Sequence, residues 1–314
     1  MHKLIIGIVN WNTKDLLDGC LASLKDQKAT FQFSTVVVDN ASVDGSPSIA
    51  KKYKVYLLQN KENSCMAAGL NQIVEEYPAE YYLFLHPDTT LRNGVLRKMV
   101  EYIEVHPDVG VIGPHLVYPE GKNFASFHRF PVMRALLFET FPLVFQKKLM
   151  LHGVYLRGCN YTKEREVDII ASACFLVRKK CLDTVGLLDP RFTNWMAEWD
   201  LCKRIKDKGW KIKYVPFAEV IHYEGQASVT KAGMGMEYKK YSYVIADRML
   251  DSLFLFYRKH YSPTSLRILK ILVIVGMMIK SMLYLPLIFY PTKAQEARER
   301  IRHYLRTSRK CLTQ

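Results

Sequence analysis

Four short apolar runs constrain this chain more than any other feature. Each is closed by a polar cluster, and segments of helical spacing lie between them. Leu4-Ile5-Ile6-Gly7-Ile8-Val9 lacks the apolar–polar alternation of a half-buried strand, so it reads as a strand covered on both faces. Residues 33–38 repeat that pattern, and 55–58 and 81–85 read as a third and a fourth strand. Residues 15–28 carry Leu16, Leu17, Cys20, Leu21 and Leu24 at helical spacing, Asp44-Gly45-Ser46-Pro47 is turn chemistry leading into a second helix, and 67–77 reads as a third. Strands alternating with helices predict an α/β fold: a mostly parallel, Rossmann-like sheet flanked by helices.

The clusters 10–12, 39–44 and 86–89 all follow strand C-terminal ends, where open α/β sheets bind ligands. No G-x-G-x-x-G follows the first strand and no G-x-x-x-x-G-K-[ST] occurs, so two common phosphate cradles are absent. Residues 110–170 give no clear period, and the apolar stretch 131–151 reads equally as a helix or as a loop lining an acceptor site. Further on, 168–178 reads as a strand, 198–209 as a helix closed by Gly209, and 211–215 as a final strand.

Several residues carry chemistry, each with a plainer alternative. Asp39, at the end of Val36-Val37-Val38, is placed to accept hydrogen bonds from a ribose or a base; the same spacing suits a turn or helix cap. Asp88 in His86-Pro87-Asp88-Thr89 is a hard oxygen ligand suited to Mg2+ or Mn2+, or again a cap. His222, after Val220-Ile221, is a second candidate ligand or a structural histidine. Glu198 and Asp200 stand two apart in Trp195-Met196-Ala197-Glu198-Trp199-Asp200, so on a helix they point in different directions. One can act as a general base while the other caps or pairs.

In this order the stretches Val9-Asn10-Trp11-Asn12, residues 37–46, 63–71, 86–89, 173–178, 198–210 and 222–228 resemble the family 2 glycosyltransferases of GT-A fold. The likeness is to the rhamnosyltransferase-like branch of bacterial surface-polysaccharide synthesis. It implies that Asn10, Asn12, Asp39 and Asp44 hold the nucleotide, and that Asn63, Gly69 and Asn71 lie by the diphosphate and donor sugar. It makes Asp88 the metal ligand that ends a degenerate D-x-D, with His222 and His86 beside it and a divalent cation, Mg2+ or Mn2+, as cofactor. Glu198 falls on the position of the catalytic base, with Asp200 as the other carboxylate there. The implied reaction is a single inverting displacement. Departures from the pattern are His86 at the first D-x-D position, Cys65 and Met66 where Gly and Phe are favoured, and Ala197 where an acidic residue is usual. The absence of Q-x-x-R-W argues against a processive synthase.

Charge divides the chain. Of a net +15, residues 231–314 hold +11, from 16 basic and five acidic side chains, which calls for an anionic surface. Residues 238–260 read as an amphipathic helix and 293–310 as a basic one. Between them, 271–290 is 20 residues long with one charge, Lys280. A mid-bilayer lysine costs roughly 2.5–3.5 kcal/mol on insertion scales, so an interfacial helix is favoured over a span. Seven cysteines without a C-x-x-C pair, and no signal-like N-terminus, favour the reducing cytosol. No zinc, helix-turn-helix or RNP-type pattern supports nucleic-acid binding.

The expectation is therefore a catalytic domain over 1–230, an amphipathic extension over 231–263 and a membrane-associating tail over 264–314. The enzyme would move rhamnose from dTDP-rhamnose, or a hexose from a UDP-sugar, to a lipid-linked glycan at the cytoplasmic face of the cell membrane. The alternative is an inactive sugar-nucleotide-binding or scaffolding subunit.

Overall fold

The computed structural model describes residues 2–131, 159–193, 195–223 and 238–313, with the side chains of 238–242 left aside. The apolar stretch 131–151 lies almost wholly outside these residues. The chain forms two compact units: Met1–Phe130 with Cys159–Glu237, and Pro131–Gly158 with Tyr238–Gln314.

The first unit opens with β1 (His2–Asn10), α1 (Lys14–Lys25), β2 (Phe33–Asp39), α2 (Ser46–Lys52), β3 (Tyr56–Gln59), α3 (Cys65–Glu76) and β4 (Ala79–Leu85). The expected strands and helices are all present, with boundaries moved by a residue or a few. β1, β2, β3 and β4 pair in parallel, in the order β3-β2-β1-β4. The chain winds outward from β1 to β3 and then returns to β4 on the other side of β1. That reversal opens a crevice beyond the C-terminal end of β1.

The rest of the unit contains β5 (Thr89–Leu91), α4 (Val95–Val105), β6 (Val109–Val117), β7 (Phe127–His128), β8 (Arg165–Glu166), β9 (Ile169–Ile170), β10 (Cys174–Arg178), α5 (Lys179–Val185), α6 (Ala197–Asp207) and β11 (Lys211–His222). The sheet continues as β4-β10-β6-β11-β5. β10 runs antiparallel to β4 and β6, and β5 antiparallel to β11, so the mostly parallel sheet is mixed. Three differences from the sequence reading have physical causes. β6 is a buried nine-residue strand, obscured in the sequence by Gly113-Pro114. Proline is confined to irregular parts of sheets, and Pro114 pairs with Val215 where the β6–β11 register shifts. Gly113 is required because a Cβ there would lie 2.3 Å from Ile170. The expected strand 168–178 is interrupted between β9 and β10, and the final strand runs on to His222.

In the second unit, α7 (Tyr238–His260), α8 (Pro263–Tyr284), a 3-10 turn (Leu285–Phe289) and α9 (Pro291–Thr313) pack together. The extension and tail, expected as separate segments, thus belong to one unit. α9 is bonded to α7 by Arg306–Asp247 (2.8 Å) and Lys310–Asp251 (2.6 Å), and His303 stacks on Tyr243.

Candidate active site

At the crevice, register places Asn10 opposite Asp39, the last residues of β1 and β2. Both are buried and bonded to each other: Asn10 Nδ2 donates to Asp39 Oδ1 at 2.9 Å. Asp39 Oδ2 accepts from the Ser42 backbone N–H at 2.9 Å, and Asn10 Oδ1 from the Thr13 hydroxyl. Asn12, half-buried with φ of 52°, donates its backbone N–H to Ser42 Oγ at 2.8 Å and accepts from Val43 N through Oδ1 at 2.8 Å. Asn10 and Asp39 therefore fix the floor and the Ala41–Val43 turn, and the half-buried Asn12 and Ser42 stand above them. Ala41 is also left-handed, with φ of 59°. Such backbone costs of order 1–3 kcal/mol per residue and concentrates where function over-determines geometry.

The other expected donor-site residues separate. Asp44 binds the N-termini of two helices. Its oxygens accept from Lys14 N (2.8 Å), Ser46 N (2.9 Å) and Ser46 Oγ (2.6 Å). Burial pushes its carboxyl up, but those hydrogen bonds outweigh it and hold it below the ordinary range. Gly69 is a packing position, since a Cβ would lie 2.8 Å from Val9 Cγ2. Asn71 clamps a distant loop, exchanging hydrogen bonds with Leu188 O (2.8 Å) and Leu188 N (3.1 Å). Asn63 alone of these is exposed. Its Oδ1 accepts from Asn40 Nδ2 at 3.1 Å and from Cys65 N at 2.9 Å. Asn40, with Asn60, Ser64 and Gln72, forms a side-chain network along the same crevice edge, which the sequence reading did not single out. An asparagine directly after a buried strand end was the available signal. Cys65 has φ of 67°, which explains why glycine is favoured at that position.

The metal candidates do come together. His86 follows β4, Asp88 precedes β5, and His222 ends β11, where the β5–β11 register pairs it with Thr89. Tyr223 N–H donates to the Asp88 carbonyl at 2.9 Å, fixing that approach. His222 Nε2 lies 3.4 Å and His86 Nδ1 3.8 Å from Asp88 Oδ1. One ligating atom from each of the three falls within 4.8 Å of the others. Asp88 and His222 are only 5% and 7% exposed, yet Asp88 Oδ1 and His222 Nδ1 make no hydrogen bond. Burial pushes the Asp88 carboxyl up, but the neighbouring His222 and His86 overcome it and keep it ionised. Ionised at Asp88 and convergent, this set of one carboxylate and two imidazoles fits a divalent cation.

Glu198 and Asp200 have different environments in the first turn of α6. Asp200 is fully buried, with Oδ2 2.9 Å from Arg204 Nη2. Arg204 also donates to Val185 O, Gly186 O (3.1 Å) and Leu187 O (2.7 Å), so this pair ties α6 to the end of α5. Glu198 is 8% exposed, and burial pushes its carboxyl up to about 7, its own backbone N–H opposing only in part. Arg204 accounts for Asp200, leaving Glu198 as the carboxyl whose proton affinity is matched to neutral pH.

Residues 5–186 match the family described as Glycosyl transferase family 2. The chain belongs to that family. It is similar to the N-acetylglucosaminyl-diphospho-decaprenol L-rhamnosyltransferase of Mycobacterium tuberculosis (strain ATCC 25618 / H37Rv), with 26% identity over 213 residues, covering 62% of this chain and 68% of the relative. It is also similar to the rhamnosyltransferase WbbL of Escherichia coli (strain K12), with 26% identity over 156 residues, covering 48% and 56%. Among solved structures, the mannosyltransferase PcManGT from Pyrobaculum calidifontis in complex with GDP-Man and Mn2+ shares the fold. Its TM-score is 0.54 at 12% identity, covering 98% of this chain and 86% of that one. The protein is a glycosyltransferase of GT-A fold.

Proposed function

We propose that this glycosyltransferase moves a sugar, with inversion, from a nucleoside-diphosphate donor to a hydroxyl of a lipid-linked glycan in cell-surface polysaccharide synthesis. dTDP-rhamnose is the first choice of donor and a UDP-hexose the second. The observation that carries the chemistry is the convergence of His86, Asp88 and His222, whose ligating atoms lie within 4.8 Å of one another, with Glu198 as a buried carboxyl raised to about 7. The donor and acceptor classes are proposed from the relatives' names, both of which denote rhamnosyltransferases.

In this reading the Asn12–Ser42 edge meets the nucleoside, and Asn10 and Asp39 act mainly by holding that edge in place. Asn63 stands at the crevice rim, while Asp44, Gly69 and Asn71 hold the scaffold around it. Glu198 removes the proton from the acceptor hydroxyl as its oxygen bonds to the anomeric carbon and the nucleoside diphosphate departs with the other bonding pair. Burial keeps water from competing for that proton. His86, Asp88 and His222 would hold a divalent cation, which supplies charge neutralisation at the diphosphate when bound. Two imidazoles with one carboxylate suit Mn2+ better than Mg2+, whose preferred ligands are all oxygen. In this reading His86, a departure from the family pattern, is one of the three ligands.

Incubation with dTDP-rhamnose and a polyprenyl-diphosphate N-acetylglucosamine acceptor should yield the disaccharide-lipid by mass spectrometry. Donor binding without transfer to any lipid-linked acceptor would favour the sugar-nucleotide-binding subunit instead. The reading also puts the protein at the cytoplasmic face of the membrane, where such an acceptor is presented.

A further inference from the structure

α8 and the 3-10 turn after it carry a pattern that transferase chemistry does not use. From Ile268 to Phe289, exposed large apolar side chains recur at alternating steps of three and four, with Ile271, Val275, Met278 and Met282 at the centre. Phe289, at the end of the stripe, is 86% exposed. On a helix this spacing gathers them on one side. Leu269, Val273 and Gly276 are buried on the other. Lys280 lies about 120–180° from the stripe at 100° per residue, so it does not interrupt the apolar side. Exposed Arg267 and Lys293 flank its two ends.

Pro263–Phe289 is long and apolar enough to cross a bilayer by length and composition, with only 17% of its most apolar window buried. Its packing partner argues against crossing. α9 folds back along α8. Tyr284 meets Tyr304 with ring centroids 6.0 Å apart, and the Arg300 guanidinium lies 5.2 Å from the Tyr284 ring. α9 carries seven basic and two acidic side chains, which a crossing α8 would draw into hydrocarbon. A second copy is a poor occupant of the stripe, because residues 231–314 carry a net +11 and two such units repel.

We infer that α8 and the turn after it lie flat in the interface of an anionic bilayer. The 268–289 stripe enters the acyl boundary, and α9 stays on the aqueous side. This deepens the membrane part of the reading above and rests on it, but it needs neither donor nor acceptor to be tested. Amphipathic helices of this kind bind by buried apolar area together with attraction to anionic lipid.

The test uses the whole chain, because removing α8 and α9 would strip Asp247 and Asp251 of their partners. Flotation with phosphatidylcholine vesicles, with and without about 30% phosphatidylglycerol, should show at least tenfold tighter binding to the anionic vesicles. The triple variant Met278→Glu, Met282→Glu, Phe289→Glu should lose at least tenfold of that binding while nucleotide binding stays as in the wild type. An encoded coumarin amino acid at position 268, 278 or 289 should be quenched equally by shallow brominated lipids. Unchanged vesicle binding by the triple variant would overturn the inference. So would quenching that is deepest at 278 and shallow at both ends, which means a span. A stripe-dependent dimer in light scattering with no vesicle binding would overturn it in favour of a second copy.

Discussion

Replacing Glu198 by glutamine separates a poised base from a merely buried carboxyl. In the fold its carboxyl is raised from 4.5 to about 7 by burial. That gap corresponds to about 3 kcal/mol by which the ionised form opposes folding. Below about pH 4.5 the group is neutral in both folded and unfolded chains. As the pH rises toward about 7 the unfolded chain ionises first, so the contribution to stability falls and is gone above that value. Glutamine does not titrate, so the variant's stability relative to the wild type should rise by about 3 kcal/mol between pH 4.5 and pH 8.5. Every other titrating group cancels in this comparison. Urea unfolding followed by tryptophan fluorescence reads it out cleanly, because Trp11, Trp195, Trp199 and Trp210 all lie in the catalytic unit. The same variant should bind nucleotide normally and lose transfer. Wild-type kcat/KM should rise with pH to a plateau above about 7. A stability difference that stays flat with pH would mean that Glu198 is solvated and ordinary, not a poised base.

Asp200→Asn should show the opposite pattern: a loss of about 3 kcal/mol in urea unfolding, from leaving Arg204 without its charge partner, but turnover within a few-fold of the wild type at low temperature. Gly69→Ala should destabilise by about 1–2 kcal/mol, as its Cβ meets Val9 in a packed core, with donor affinity unchanged in calorimetry on the folded fraction. Cys65→Gly should leave thermal stability unchanged or raise it by up to about 1 kcal/mol, since relief of left-handed strain competes with the entropy of glycine.

Local pattern made half of the sheet legible. β1 to β4 are continuous apolar runs ending in polar clusters, and their crevice follows from the alternation with helices. Strand pairing across long separations is not encoded that way. Nothing local to Cys174–Arg178 says that β10 inserts antiparallel between β4 and β6. In β6 the Gly113-Pro114 pair, needed for close approach to Ile170 and for the register shift, suppresses the strand signal. Candidate site residues were legible as residue types at strand ends, but their roles depended on partners. Asp44, Gly69 and Asn71 are accounted for by helix ends, packing and a loop 117 residues away. The pairing of Asp200 did have a local signal, its four-residue spacing from Arg204. The His86–Asp88–His222 cluster depended on β5 pairing with β11, so the histidine at the first D-x-D position looked like a loss until the fold placed it beside Asp88.

The most direct test of the account is the thermal shift of the whole protein with dTDP and UDP compounds, with and without Mn2+, in the wild type and in Asp88→Asn. Ligand at about 100 times Kd adds about 2.7 kcal/mol, which for a unit of this size raises Tm by roughly 5–10 °C. That rise should appear in the wild type only when Mn2+ and the preferred nucleotide are both present, and should be lost in Asp88→Asn. An equal rise in the variant, or none in the wild type with any nucleotide, would contradict the placement of the donor site.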